Sequence, residues 1–121
     1  MSARILLIED HADNRRIVRD MLHSAGYDII EAATGEEGVT LAAAHLPDAI
    51  LMDIQLPTID GYEATRRIRA NPQLRETPII AVTSYALSGD DTKAFEAGCT
   101  AYVAKPFEPM DLLAKVREYV S

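Results

Sequence analysis

The sequence lacks both a second cysteine and a long apolar run. Its single cysteine, Cys99, has no partner for an internal disulfide and no second thiol for a zinc pair. No apolar stretch approaches the roughly 18 residues that a membrane-spanning helix needs, and the one near the N-terminus is too short for a signal peptide. These absences predict a cytoplasmic protein from a reducing compartment that does not insert into membranes.

Basic residues are also few. There are 12 lysines and arginines against 19 aspartates and glutamates, which gives a net charge of −7 at pH 7. A field of this sign repels polyanions and favours cations where carboxylates cluster. We therefore expect no direct binding to nucleic acid.

The sequence has no internal repeat, low-complexity tract or interdomain linker. Its 121 residues are 48% hydrophobic and 26% charged, which is the size and composition of one ordinary globular domain. We expect one domain over residues 1–121 and no output domain. We expect the protein to be a monomer or a weak dimer.

Short apolar runs alternate with amphipathic stretches about a dozen residues long, which is typical of repeated βα units. The runs cover residues 5–8, 27–30, 49–52, 79–82 and 101–104. The first, third and fourth are apolar throughout, as central strands covered on both faces should be, whereas the second and fifth resemble edge strands. The pattern predicts a three-layer α/β sandwich with a five-stranded parallel sheet and five helices.

Helix boundaries agree with this alternation. Gly26 and Gly98 stand where helices would end, and the segments 34–37 and 60–63 have the capping-box spacing that begins a helix. The helix near 90–97 has few large apolar residues, so we expect it to pack loosely. The first helix is predicted to bury an apolar face made of Ile17, Val18, Met21, Leu22 and Ala25.

Functional sites in parallel α/β sheets lie outside the carboxyl ends of the strands. In this sequence those positions hold Glu9 and Asp10 after the first strand, Asp53 after the third, Thr83 and Ser84 after the fourth, and Lys105 and Pro106 after the fifth. A single acid at a strand end is often only a helix cap. Three carboxylates, a hydroxyl and an ammonium at one end of a sheet predict a site instead.

Carboxylates packed together repel one another, and a bound hard cation lets all of them stay ionised. Mg²⁺ fits this description because it prefers oxygen ligands and usually keeps several waters. We expect Asp10 and Asp53 to bind Mg²⁺ directly and Glu9 to act through water. The backbone carbonyl of Gln55 is predicted to supply a further oxygen.

With a cation in place, a carboxylate oxygen of Asp53 can attack phosphorus and form an aspartyl phosphate. Mg²⁺ and the Lys105 ammonium would flank the phosphoryl oxygens, and the Thr83 hydroxyl would gain a hydrogen bond once the phosphoryl group is present. Because that bond exists in one state only, it supplies the differential interaction that a two-state switch requires.

The sequence resembles the receiver domains of two-component response regulators over essentially its whole length. The resemblance rests on the acid pair Glu9-Asp10, the segment LMDIQLPTIDG around Asp53, PIIAVTSYA around Thr83, and GCTAYVAKPF around Lys105. These motifs occur in the order that the family shows. The stretches MDIQLP and GCTAY are similar to those of the DivK type of cell-division regulator.

This resemblance implies strand order 2-1-3-4-5, Mg²⁺ dependence, and phosphotransfer from a histidine kinase or a histidine phosphotransfer protein. It further implies an aromatic switch residue at Tyr102, a cis peptide between Lys105 and Pro106, and a downstream protein target. We place the signal-dependent surface on the fourth helix, fifth strand and last helix. A receiver excised from a hybrid kinase or larger regulator stays open as an alternative.

Three other functions fit less well. An aspartate-dependent phosphatase would need a second acid two residues after Asp53, where Gln55 stands. A nucleotide or flavin module would meet repulsion from Glu9-Asp10-His11. A receiver-like module that is never phosphorylated usually lacks an acid or the lysine. We therefore expect a signalling protein that catalyses only its own phosphorylation and dephosphorylation.

Several residues near the predicted site have plainer interpretations. His11 lies beside the acids, but no second histidine stands at ligand spacing, so we interpret it as a surface residue. The run 66–69, which holds three arginines, is interpreted as a solvated helix face. Tyr85 and Gln55 flank the approach of a hydrolytic water and are expected to tune the lifetime of the phosphate.

Overall fold

Five strands and five α-helices alternate along the chain in a computed structural model that describes residues 3–83 and 90–120. The elements are β1 (Arg4–Ile8), α1 (Ala12–Ser24), β2 (Asp28–Ala32), α2 (Gly35–His45), β3 (Ala49–Asp53), α3 (Gly61–Arg69), a short 3-10 helix (Pro72–Leu74), β4 (Ile79–Thr83), α4 (Asp90–Ala97), β5 (Ala101–Ala104) and α5 (Pro109–Tyr119). Ser84 and Tyr85 lie outside the described residues. Within the described ranges, no helix has the length and hydropathy needed to cross a membrane.

The sheet confirms the predicted architecture. All strands are parallel and their order is β2-β1-β3-β4-β5, so β1, β3 and β4 are central and β2 and β5 form the edges. Every residue of β3 and β4 is buried, as the continuous apolar runs predicted. The second strand begins one residue later than expected, because the Tyr27 amide donates to the Leu22 carbonyl oxygen of α1 at 3.2 Å instead of to a neighbouring strand. The buried Tyr27 side chain donates its hydroxyl to the Val120 carbonyl oxygen at 3.0 Å.

Alternate side chains of the central strands enter two separate cores, one on each face of the sheet. On one face, α2, α3 and α4 cover residues such as Leu6, Ile50 and Ile79. On the other face, α1 and α5 cover Ile5 and Leu51. This is the three-layer sandwich expected from the sequence.

The predicted helix boundaries are confirmed by their hydrogen bonds and dihedral angles. The Thr34 side chain accepts from the Glu37 amide at 3.1 Å, and Asp60 accepts from the Glu63 amide at 2.9 Å. Gly98, which follows α4, has φ +115°, a backbone conformation that favours glycine. Local cap chemistry was therefore a sound guide to where these helices begin and end.

The buried face predicted for α1 is wrong at Ile17. This side chain is 59% exposed, whereas Leu22 on the same helix is fully buried. The reason is position: Ile17 lies midway along α1 and lines a cleft of about 580 Å³, together with Phe107 and with Pro109 at the start of α5. The cleft also reaches Asp53.

The α4 helix packs mainly through small side chains. Ala94 and Ala97 are buried, while its large apolar residue Phe95 is 49% exposed. Phe95 meets the Tyr102 ring edge-on, with ring centroids 6.0 Å apart. This agrees with the expectation of loose packing.

Candidate functional site

Asp53 is the last residue of β3 and lies among buried strands, with only 3% of its surface exposed. Its Oδ1 atom accepts a hydrogen bond from the Gln55 amide at 3.1 Å, which fixes the carboxylate at the start of the following loop. Gly61, at the start of α3, permits this arrangement. A Cβ atom there would lie 2.5 Å from the Asp53 carbonyl oxygen, so the helix approaches this closely only with glycine.

Glu9 and Asp10 follow β1, the neighbouring strand. Glu9 is buried, and its Oε2 atom accepts a hydrogen bond from the His11 amide at 3.0 Å. The Arg15 guanidinium donates to the Glu9 carbonyl oxygen at 2.8 Å and is itself held by Glu31. Both the side chain and the backbone of Glu9 are therefore fixed from outside the pocket.

Lys105 follows β5 and brings a positive charge to the acids. Its Nζ atom lies 3.4 Å from Asp53 Oδ1 and 3.7 Å from Glu9 Oε1. The Lys105 amide donates to the Thr83 carbonyl oxygen at 2.7 Å, and the Lys105–Pro106 peptide is cis, as the family resemblance implied. The ends of β4 and β5 are thus joined directly beside the acidic pocket.

The buried acids perturb one another's protonation. Burial, followed by the hydrogen bond and charge of Glu9, raises the pKa of Asp53 to about 6, although Lys105 opposes the shift. Burial also tends to raise the pKa of Glu9, but hydrogen bonds from the His11 amide and Asp53, with the charge of Lys105, leave it lowered. In the metal-free pocket, Asp53 is therefore the carboxyl of this pair that takes up a proton first as the pH falls.

The pocket has the ligands for a divalent cation. One ligand atom from each of Glu9, Asp10, His11 and Asp53 can be chosen so that all lie within 4.8 Å of one another. The Oδ1 atom of Asp10 is buried and has no hydrogen-bond partner. A buried, unpartnered carboxylate oxygen costs free energy that a bound cation would recover, so these residues fit a Mg²⁺ site.

The family model of the response regulator receiver domain matches residues 5–117. The chain belongs to the response regulator receiver family. The polar-differentiation response regulators DivK of Brucella ovis and Brucella suis are each 37% identical to this receiver over 120 residues, which cover 99% of this chain and 98% of the relative. The present chain is a phosphoacceptor response regulator domain of two-component signalling.

Solved structures agree with this assignment. The chemotaxis protein CheY4 of Vibrio cholerae matches with a TM-score of 0.94 at 28% identity, covering 99% of this chain and 100% of that chain. The receiver domain of a sensor histidine kinase from Pseudomonas aeruginosa is 42% identical with a TM-score of 0.91, covering 98% of both chains. That receiver was solved with a magnesium ion coordinated in its active-site cleft.

The fold of this receiver brings most of the predicted site residues together. Glu9, Asp10, Asp53 and Lys105 share one pocket. Thr83 is buried at the end of β4, next to Val82, which pairs with Asp53 in the sheet. Gln55 lies at the pocket through its amide.

Tyr102 does not lie with the acids. It is half-buried on β5, where it pairs with Ala81 in the sheet and contacts Phe95 of α4. This places it on the α4 side of the sheet. Tyr85, predicted to tune the phosphate lifetime, lies outside the described residues.

Two residues beside the pocket were not assigned to the site from the sequence. Arg15 has no motif of its own, but it lies about one turn into α1, within reach of the backbone that precedes the helix. His11 was interpreted as a surface residue, and its side chain is indeed 67% exposed. Its Nδ1 atom nevertheless belongs to the acidic cluster. Adjacency to Asp10 was the available signal.

Proposed function

We propose that this receiver is a Mg²⁺-dependent phosphorylation switch whose acceptor is Asp53. The observation that carries the proposal is the position of the Lys105 ammonium. It lies 3.4 Å from the carboxylate of Asp53, which shares its pocket with Glu9 and Asp10. Phosphoryl transfer requires mainly positioning and charge neutralisation, and these residues supply both.

The chain's own residues have distinct tasks in this reaction. An ionised Asp53 oxygen attacks phosphorus and forms a new P–O bond, while the bond from phosphorus to the donor histidine breaks and the electron pair leaves with the imidazole. Lys105 favours the ionised form of Asp53 and faces the phosphoryl oxygens. Bound Mg²⁺ supplies further neutralisation of the phosphoryl charge. Asp10, Asp53 and the Gln55 carbonyl would hold it, with Glu9 acting through water.

The switch runs through the ends of β4 and β5. In our proposal the Thr83 hydroxyl moves toward the phosphoryl group, and Thr83 is already tied to Lys105 by a backbone hydrogen bond. Tyr102 lies on β5 and contacts α4, so a shift of these strand ends reaches the α4 surface. Tyr102 then responds as the aromatic switch residue, and a downstream protein reads the change.

The catalysis is limited to the receiver's own phosphorylation and dephosphorylation. Gln55 occupies the position two residues after Asp53, where an aspartate-dependent phosphatase requires a second acid. Gln55, together with Tyr85, instead sets the lifetime of the phosphate by controlling the approach of water.

We further propose a stand-alone cytoplasmic receiver over residues 1–121, monomeric or weakly dimeric, without direct nucleic-acid binding. The donor is a histidine kinase or a histidine phosphotransfer protein. The support is that the DivK relatives are matched over 98% of their own length. A receiver from a hybrid kinase is the second candidate, favoured by the 42% identity to the P. aeruginosa kinase receiver. The mass of the native protein from its source separates the two.

The test of the acceptor is chemical labelling with acetyl phosphate and Mg²⁺, followed by intact-protein mass spectrometry. We expect the wild type to gain one phosphoryl group and Asp53→Asn to gain none. Asp13→Asn is the matched control, because Asp13 is an exposed acid on α1, and it should label like the wild type. Equal labelling of Asp53→Asn and wild type would overturn the assignment.

A further inference from the structure

His11 stands at the solvent side of the acidic pocket. Its Nδ1 atom lies 3.2 Å from Asp10 Oδ1 and 3.4 Å from Glu9 Oε2. Asp10 Oδ1 has no hydrogen-bond partner, so the short distance to the imidazole is not a hydrogen bond. A ring nitrogen and a carboxylate oxygen, both of types that bind metal ions, therefore lie close together without a hydrogen bond between them.

The spacing of these atoms is that of a metal site. Two ligands on a first-row metal ion at about 2.0–2.2 Å lie up to about 4.4 Å apart. The chosen atoms of His11, Glu9, Asp10 and Asp53 lie within 4.8 Å of one another, which exceeds that limit by a few tenths of an ångström at most.

The turn that carries His11 is held in place. The His11 amide donates to Glu9 Oε2 at 3.0 Å, and Arg15 holds the Glu9 carbonyl oxygen at 2.8 Å. The His11 backbone is therefore fixed beside the acids. Because the side chain is 67% exposed, solvent and ions reach it freely.

An imidazole nitrogen changes which ions such a pocket prefers. Carboxylates, carbonyls and water suit Mg²⁺, whereas imidazole suits Zn²⁺, Cu²⁺ and Ni²⁺. For a mixed nitrogen and oxygen site, affinity rises along the first-row series toward Cu²⁺ and exceeds that for Mg²⁺. An all-oxygen receiver pocket lacks this nitrogen contribution.

We propose that the pocket also binds a divalent transition-metal ion of the Zn²⁺ and Cu²⁺ class, with His11 Nδ1 as a ligand beside Asp10, Asp53 and Glu9. The inference rests on the proposed function, since it takes the same carboxylates as the Mg²⁺ site. The transition ion therefore competes with Mg²⁺. His11 sets the metal selectivity of this receiver, and the oxygens alone hold Mg²⁺.

The first test measures affinities for Zn²⁺ and Mg²⁺ by calorimetry. Because surface histidines bind transition ions weakly, the parent is the double variant His23→Asn, His45→Asn, in which His11 is the remaining histidine. Adding His11→Asn should weaken Zn²⁺ binding by at least about tenfold, since even a residue supporting a ligand is worth that much. Mg²⁺ binding should stay at the parent's value.

The second test detects the ligand itself. Pulsed EPR of the Cu²⁺-loaded parent should show the modulations from the remote nitrogen of a coordinated imidazole, and these should vanish in the His11→Asn variant. Added Asp10→Asn should weaken both Mg²⁺ and Zn²⁺ binding, because that carboxylate serves both ions.

The outcomes separate this inference from the proposed function. If Mg²⁺ binds normally and the ratio of Zn²⁺ to Mg²⁺ affinity is the same in the parent and in the His11→Asn variant, His11 is not a metal ligand. That result leaves the Mg²⁺ site of the proposed function intact. Absent imidazole modulations in the parent likewise exclude His11 as a ligand. A parent that binds neither ion overturns both proposals. A parent that binds both ions but gains no phosphoryl group from acetyl phosphate overturns only the acceptor function of Asp53.

Discussion

At the scale of single residues, the site shows two neighbouring carboxyls driven in opposite directions. Asp53 is almost fully buried, and its raised pKa of about 6 means that a charge on it is disfavoured in the metal-free fold. Glu9 has a lowered pKa because its hydrogen bonds outweigh its burial. The negative charge of these carboxyls therefore favours the binding of a cation in the pocket.

This electrostatic cost gives a stability prediction for Asp53→Asn without divalent ions. As pH rises from about 4 to about 6, unfolded Asp53 loses its proton before folded Asp53 does, so the wild type loses stability there. Above the folded pKa of about 6 the loss is complete. At pH 7.5 we expect Asp53→Asn to be more stable by about 1–3 kcal/mol.

Thermal unfolding between pH 4 and pH 8 measures this difference. The gap between Asp53→Asn and wild type should widen up to about pH 6–7 and then level off. Mg²⁺ should narrow this difference in stability, because the bound cation neutralises the charge of the wild-type Asp53 carboxylate. Asp13→Asn should show no such gap, and a constant gap across the whole range would contradict the prediction.

At the scale of elements, the end of α3 shows how one arginine can differ from its neighbours. The Arg69 guanidinium donates to three backbone carbonyls, those of Leu74, Thr77 and Gly98, at 2.6–2.8 Å. It thereby ties α3 to the 3-10 helix, to the segment before β4 and to the turn after α4. Arg66 and Arg67 pair only with the partly exposed Glu63 among the described contacts, as a solvated face would.

We therefore expect Arg69→Ala to destabilise the receiver by about 2–4 kcal/mol, because partly buried carbonyls lose charged donors. Arg66→Ala and Arg67→Ala should each change stability by less than about 0.5 kcal/mol, as surface ion pairs do. Urea unfolding of the three variants measures the contrast. Arg69→Lys should not restore the wild-type value, since a single ammonium cannot reproduce the fork. Equal effects of all three alanine variants would refute the contrast.

At the scale of the whole molecule, the pocket lies at one end of a sheet whose two faces are packed differently. The α4 helix buries small side chains and leaves Phe95 half exposed, whereas α5 buries Leu112, Leu113 and Val116. Elements with few large buried contacts open at lower free energy. Under the proposed function, in which a signal passes from Asp53 through Thr83 and Lys105, we therefore expect α4 to deform more readily than α5.

Hydrogen exchange tests this path. Acetyl phosphate with Mg²⁺ should change amide exchange in residues 93–104, which hold most of α4 and all of β5, and leave α2 (Gly35–His45) unaffected. Asp53→Asn treated identically is the control and should show no change in either region. Identical exchange of residues 93–104 before and after phosphorylation of the wild type would exclude this surface.

Much of this receiver follows from the sequence by itself. Apolar runs placed the five strands, hydroxyl and acid caps placed the starts of α2 and α3, and the strand ends named Glu9, Asp10, Asp53 and Lys105. These predictions succeed because hydrophobic periodicity and cap hydrogen bonds are local, and because parallel strands place their carboxyl ends together. Residues far apart in sequence then meet by topology alone.

Only the tertiary structure decided the roles of Ile17, His11 and Arg69. Ile17 has the helical spacing of a core residue but lines an open cleft beside Phe107. His11 and Arg69 have the sequence context of surface residues, yet one joins the acids and the other binds carbonyls up to 29 residues away. The physical reason is shared: burial and partners depend on what distant segments bring to a position, which periodicity and neighbours in sequence do not encode.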